Sequence, residues 1–254
     1  MAKSVQAVER ACDLMFLIAS SKSGLGVSEL AASLGLAKST VHRLLVALGN
    51  KSMIQQDPLT QRHSLHPRVL ELAVPFQSQQ DIVAAVRPHL DALRDRFQET
   101  TILALRVGFS FMSVAHSPSP FEFRFIPTIG RQMSLHWGAF GKAILAYLPA
   151  EELAEFFQRV PLVPTTSQTI VNATLLQEEL CEIRERGFAK SVSEVLDGQI
   201  GIAACILDHC GKPTGCIGLG GPELRLRHHD LDEIGNEISA AARHVSNAWR
   251  LRSQ

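Results

Sequence analysis

Several things are missing from these 254 residues, and each absence removes a class of function. The longest apolar runs, such as Ile202–Leu207, fall far short of the roughly 20 residues that cross a bilayer. No basic, apolar and small signal segment opens the chain, so a cytoplasmic protein without a membrane partner is expected. The five cysteines (12, 181, 205, 210, 216) include no C-x-x-C pair, and their odd number makes a poor disulfide framework. No zinc spacing joins them to the ten histidines, so neither a metal nor another cofactor is called for. Cys12, Cys181 and Cys205 read as buried small thiols. There is no G-x-S-x-G elbow. Gly138-Ala-Phe-Gly-Lys142 is not a P-loop either, having too few residues between its glycines and alanine after the lysine. Repeats and low-complexity segments are also lacking.

The chain has no net charge, with 25 basic and 25 acidic residues, but the charges are unevenly placed. Up to Arg68 there are eight Lys/Arg against four Asp/Glu, a net +4, and the remainder carries −4. A basic first part suits a polyanion partner, although a solvated face would have the same composition. With 46% hydrophobic residues the chain can bury a substantial core, and its length suits two domains.

Helical periodicity runs through Val5, Val8, Leu14, Phe16, Leu17 and Ile18, after a Ser4 able to cap it. Ser28 can cap a short second helix through Leu34, ended by Gly35. A third helix opens at Lys38 or Ser39, buries Val41, Leu44, Leu45 and Leu48, and stops at Gly49-Asn50. Two short strands, 53–56 and 62–65, flank a turn at Asp57-Pro58-Leu59-Thr60 and form a wing. Pro67 starts a helical stretch to Val74, and residues 75–80 are a polar break with a domain boundary near 76.

Beyond it an amphipathic helix runs from Asp81 to Thr100 with an irregularity at Pro88. Strand-like runs at 101–107 and 110–116, a Phe-rich stretch at 121–126 and a run at 131–135 follow. Helices are predicted at 138–148, 150–159 and 174–186, then strands at 188–193, 200–207 and 215–219. A last helix from Asp230 carries Leu231, Ile234, Ile238, Ala241, Val245 and Trp249. Strands interrupted by helices without βαβ alternation predict an α+β domain with a mostly antiparallel sheet and flanking helices.

The run from Val27 to Leu45 has the chemistry of a helix-turn-helix. Leu30, Leu34, Val41 and Leu44 can bury, Ala31 is small at the crossing, and Gly35 makes the turn. Such a motif sets its second helix in the major groove of double-stranded DNA, offering Lys38, Ser39, Thr40, His42 and Arg43. Lys38 and Arg43 reach guanine edges or phosphates, and Ser39 and Thr40 donate to phosphate oxygens. Arg62 on the wing reaches along the backbone or into a minor groove, unless it is simply a solvated turn residue.

Ser4-Val-Gln-Ala-Val-Glu-Arg-Ala11, Lys38-Ser-Thr-Val-His-Arg-Leu-Leu45, His136-Trp-Gly-Ala-Phe-Gly-Lys-Ala143 and Gly201-Ile-Ala-Ala-Cys205 resemble, in order, motifs of IclR-type transcription regulators. Ala37 stands where that family often has proline. The resemblance implies a winged helix-turn-helix over 1–66, a linker over 67–80, and a GAF-like effector domain over 81–254, with homodimers or homotetramers on a near-palindromic site. By position it carries an effector pocket over to Phe125, Met133, Ala139, Phe140 and Gly141, with Ser193, Gly201, Gly218 and Gly220. The three last glycines stand where related regulators present cysteine or serine. They favour a carboxylic acid with an apolar or aromatic body, or its amide or hydrazide relative, over a compact polar acid, unless they merely let strand and helix pack closely. Two other readings compete. One is an enzyme, which the unconnected His136, His209, Asp197 and Asp208 do not support. The other is a second domain serving oligomerisation or partner docking alone.

Overall fold

A computed structural model describes residues 5–21, 23–72 and 82–252, with side chains to 248. The Ser4 cap, the helical stretch beyond Leu72, the break at 75–80 and the Trp249 side chain lie outside the described residues. The chain divides into a unit of residues 1–80 and another of 81–254.

The first unit contains α1 (Gln6–Ala19), α2 (Val27–Leu34), α3 (Lys38–Asn50), β1 (Ile54–Gln56) and β2 (His63–Leu65). Leu14, Ile18, Leu30, Val41, Leu45 and Ile54 are buried together, so the three helices share one small core. Only part of the α1 pattern reaches it. Val5, Val8 and Phe16 face outward, and Cys12 is exposed with them, because the buried stripe runs through Leu14 and Ile18. Gly35 takes φ +63° between α2 and α3, where a left-handed residue makes the turn.

One helix end differs from expectation. Gly26 rather than Ser28 precedes α2, and its N–H donates to the Glu29 carboxylate at 2.7 Å. Helix α3 ends at Asn50 as expected, and Ser52, at φ +56°, turns the chain so that the Met53 amide bonds back to the Leu48 carbonyl. In the wing, Ile54 pairs with Leu65 and Gln56 with His63, and Leu25 adds a bridge to His63. A Cβ on Gly24 would stand 2.7 Å from the His63 carbonyl, so this approach needs glycine. Pro67–Val69 then forms a 3-10 turn.

The second unit is built on six antiparallel strands: β3 (Thr100–Val107), β4 (Ser110–Ser117), β5 (Gln132–Ser134), β6 (Ala189–Val192), β7 (Gln199–Leu207) and β8 (Pro213–Pro222). Their order is β5-β4-β3-β8-β7-β6. Alternation along β7 assigns its two faces. Ile200, Ile202, Ala204 and Ile206 pack under α4 (Ile82–Phe97) and the C-terminal helix α9 (Leu231–Arg252). Gly201 and Ala203 face the other way, toward α5 (Gly138–Leu145). Helices α6 (Ala150–Arg159) and α7 (Ala173–Arg186) complete that layer, and the short α8 (Glu223–Leu226) follows β8.

Pro88 lies inside α4, which ends where Gln98 adopts φ +57°. Cys181 is exposed on α7 and Cys205 is half-buried, so of the three cysteines expected inside none is fully enclosed. Residues 121–126 form no strand. They run as an irregular segment, its carbonyl at Phe125 accepting from Thr100 Oγ1 at 2.6 Å.

Candidate functional site

Helix α3 sorts its side chains by period. Val41 and Leu45 turn inward, while Lys38, Ser39, His42 and Arg43 are exposed and Thr40 is half-buried. No side chain caps its first turn, so those N–H groups face outward beside two cations, a surface suited to phosphate oxygens. Arg62 is different. It sits at the base of the wing, where its Nε donates to the Gly24 carbonyl at 3.1 Å and its guanidinium pairs with Glu29 at 2.9 Å. The Gly26 N–H and then Arg62 hold the Glu29 carboxyl below its ordinary pKa. At the wing's tip, Asp57 Oδ1 accepts from the Thr60 and Leu59 amides at 2.8 Å each, which also lowers its pKa.

Between the sheet and α5 the second unit encloses a cavity of about 320 Å³, within the range of small-molecule pockets. Ile102, Phe111, Phe125, Met133 and Phe140 make its walls apolar, and the Phe111 and Phe140 rings stack with centroids 6.4 Å apart. At its buried end Ser191, 7% exposed, lies across the β6–β7 ladder from Gly201. A Cβ on Gly201 would be 3.0 Å from Ser191 Oγ, and one on Gly138, the first residue of α5, 3.4 Å from the same oxygen. The Ser191 hydroxyl therefore sits at the α5 N-terminus, which no side chain caps. At the exposed end stands Arg131, the one formally charged side chain among the described lining residues.

Polar contacts behind the lining hold its loops. His136 Nδ1 bonds Ser134 Oγ at 2.8 Å, and Val163 O receives both His136 Nε2 at 3.0 Å and Trp137 Nε1 at 2.8 Å. Burial pushes the His136 pKa down, against that carbonyl bond, and so disfavours the protonated ring. The hydroxyls of Thr165 and Thr169 donate to Glu194 O at 2.8 and 2.7 Å, and Thr166 donates to Ser193 O at 2.6 Å. Under this clasp Lys142, 1% exposed, pairs with Glu194 at 2.7 Å. Burial raises the Glu194 pKa, and Lys142 pulls it back.

Residues 7–58 match the family model described as IclR helix-turn-helix domain, and residues 76–247 the one described as bacterial transcriptional regulator IclR C-terminal. The chain belongs to the IclR family. It is 33% identical to the HTH-type transcriptional regulator BhcR of Paracoccus denitrificans, over 95% of this chain and 86% of that protein. An IclR transcriptional regulator of Alicyclobacillus acidocaldarius shares its fold with TM-score 0.85 at 23% identity, covering 97% of this chain and 99% of that one. So does an IclR homolog of Microbacterium hydrocarbonoxydans complexed with 4-hydroxybenzoate, with TM-score 0.80 at 16% identity over 98% and 100% of the two chains. This is accordingly a DNA-binding transcription regulator, of a family of regulators rather than enzymes. None of its described helices is long and apolar enough to cross a membrane.

On this IclR-family chain the expected pocket residues separate into two groups. Phe125, Met133, Phe140 and Gly201 line the cavity. Ala139, Gly141, Ser193, Gly218 and Gly220 do not, each for a local reason. Ala139 is buried behind Gly201. Gly141 lets α5 lie on the Leu135 carbonyl, where a Cβ would come within 2.6 Å. Ser193, at φ +55°, accepts the Gly198 N–H through Oγ and closes its own loop. Gly218 lies against Ile202 O and Ala203 in the sheet, and Gly220 is covered by Phe125 and Gln199.

Arg131, Ser113, Ser191 and Gln199 escaped the sequence reading. Only the pairing of Ser191 with Gly201, a register invisible without the sheet, marks that serine as a lining residue. The turn from β7 to β8 also brings ligand atoms of Asp208, His209 and Cys210 within 4.8 Å of one another. There Asp208 Oδ1 accepts the amides of Cys210 and Lys212, which shapes the turn.

Proposed function

We propose that this regulator reads a near-palindromic operator as at least a dimer, through Lys38, Ser39, Thr40, His42 and Arg43 with Arg62 in support. Its second domain senses a carboxylic acid with an apolar or aromatic body. In this reading residues 1–66 bind DNA, 67–80 link, and 81–254 respond to the acid. The observation that carries it is the cavity itself: apolar walls that end at an uncapped helix N-terminus beside the buried Ser191 hydroxyl. Helix amides and a hydroxyl are donors, suited to a carboxylate, and the rings suit an apolar body. The 4-hydroxybenzoate complex of the Microbacterium hydrocarbonoxydans homolog is in keeping with that class.

The outward face of α1 supports the dimer. Val5, Val8 and Phe16 are 64%, 60% and 69% exposed, and Leu70 and Leu72 follow the wing at 66% and 65%. A second copy of the chain, as two-fold operator symmetry requires, would cover them. Thermal shift with benzoate and 4-hydroxybenzoate tests the sensor, since a ligand at a hundredfold excess over Kd stabilises the folded state by about 2.7 kcal/mol. Footprinting tests the dimer. Protection of a single half-site, or a panel of acids without any shift, overturns the corresponding part.

A further inference from the structure

The walls of the cavity separate two polar ends, and only the buried one is used by the carboxylate. At the exposed end, Gly130 takes φ +83° and its N–H donates to Ser113 O at 3.0 Å, which sets Arg131 immediately before β5. The ladder pairs Met112 with Gln132, so Ser113 and Arg131 follow one another across the same strand edge. Ser113 lines the cavity at 8% exposure, and its hydroxyl has no hydrogen-bond partner among the described residues.

Arg131 contrasts with its neighbours in the same domain. Arg106 pairs with Glu152, Arg186 with Glu179 and Arg225 with Glu99. The Arg131 guanidinium has no ion pair or hydrogen bond among the described residues, and no carboxylate shares the lining with it. Its five donors are fixed in a planar fork matched to carboxylate oxygens.

We infer that Arg131, with Ser113, forms a second polar pole, so the effector is an aromatic acid bearing a further anionic or hydrogen-bond-accepting group opposite its first carboxylate. This rests on the acid-binding reading above and narrows it. Both poles are donors and the belt of Phe111, Phe125, Met133 and Phe140 between them is not. A ligand with one acidic end leaves Arg131 to water, whereas one with two satisfies both ends without burying an unpaired charge.

The test is calorimetric titration of the full chain with 4-methylbenzoate, 4-hydroxybenzoate and benzene-1,4-dicarboxylate, repeated with Arg131→Gln and Arg131→Lys. The parent is expected to bind the dicarboxylate at least tenfold more tightly than 4-methylbenzoate. Arg131→Gln should abolish that preference while leaving 4-methylbenzoate within twofold, and Arg131→Lys should restore part of it. Melting of the unliganded variants checks that the exposed substitution leaves the fold intact. If the parent binds 4-methylbenzoate as well as the dicarboxylate, the second pole is overturned and the acid-binding reading stands. Equal weakening of all three acids by Arg131→Gln also overturns it, by making Arg131 the primary carboxylate site. If the parent binds none of them, both readings fall.

Discussion

Arg62 and Glu29 stand 2.9 Å apart, and the same carboxylate accepts the Gly26 N–H that opens α2, so the base of the wing is tied to the start of the helix-turn-helix. The guanidinium must leave, or share, this partner to touch a phosphate. Glu29→Gln keeps an acceptor for Gly26 but removes the charge. It is expected to raise operator affinity and steepen the log K against log salt slope by up to about 0.9, the increment of one phosphate contact. Arg62→Ala should do the reverse. Anisotropy titrations across salt concentrations measure both, and unchanged slopes in the two variants remove Arg62 from the interface.

On the recognition helix, Lys38→Ala and Arg43→Ala separate positioning from reading. A lost phosphate contact lowers affinity for all sequences and flattens the salt slope by about 0.9. A lost bidentate base contact costs about 1–3 kcal/mol and relaxes preference at one base pair. Both side chains are exposed, so the folded fraction should not change. Binding equal to the parent in both variants rejects the assignment.

Lys142 and Glu194 form a buried pair at 2.7 Å under the clasp of threonines. Lys142→Met strands a carboxylate whose pKa burial already raises, and should destabilise the second domain by about 3–5 kcal/mol. Adding Glu194→Gln to it removes the stranded charge, and the double variant is expected to recover most of the loss in a denaturant melt. A double variant as unstable as the single would show that the charge is not the cause.

Burial depresses the His136 pKa below the ordinary value of 6.5, against the bond to the Val163 carbonyl. A depressed pKa contributes stability that is present above the unfolded value and is lost as pH falls through the folded one. The melting temperature of the second domain should therefore fall as the pH drops below 6.5. His63, His89 and His116 are shifted the same way by burial, so the whole chain adds to the slope. His136→Asn should leave a shallower fall between pH 7 and pH 5. A slope identical to the parent's contradicts this.

Gly218 and Gly220 are expected to differ sharply. A Cβ at 218 meets the Ile202 carbonyl at 2.3 Å in a central pair of strands, and Gly218→Ala should cost about 1–3 kcal/mol or more. At 220 the nearest atom is Phe125 Cδ1, 3.3 Å away on a ring that can move into the cavity. Gly220→Ala should leave melting nearly unchanged and weaken aromatic acids. If it weakens none of them, Phe125 is not a wall that the ligand feels.

Local chemistry determined much of this protein by itself. The helical periods, Gly35 at the turn, the Asp57 loop and the alternating strands are properties of a few adjacent residues, and they suffice for a helix-turn-helix, a wing and an α+β second domain. Exposure of Lys38, Ser39, His42 and Arg43 follows from the same period that buries Val41 and Leu45. Tertiary structure decided what depends on partners distant in the chain. Sequence position cannot show that Arg62 meets Glu29 or that Ser191 opposes Gly201. Nor can it show that Gly218 touches a strand where Gly201 opens on a cavity, or that Arg131 alone among the described lining residues carries charge. A glycine reads alike wherever it stands. Whether its missing side chain makes room for a ligand or for a neighbouring backbone is settled only when the sheet register and the helix above it bring the other atoms into place.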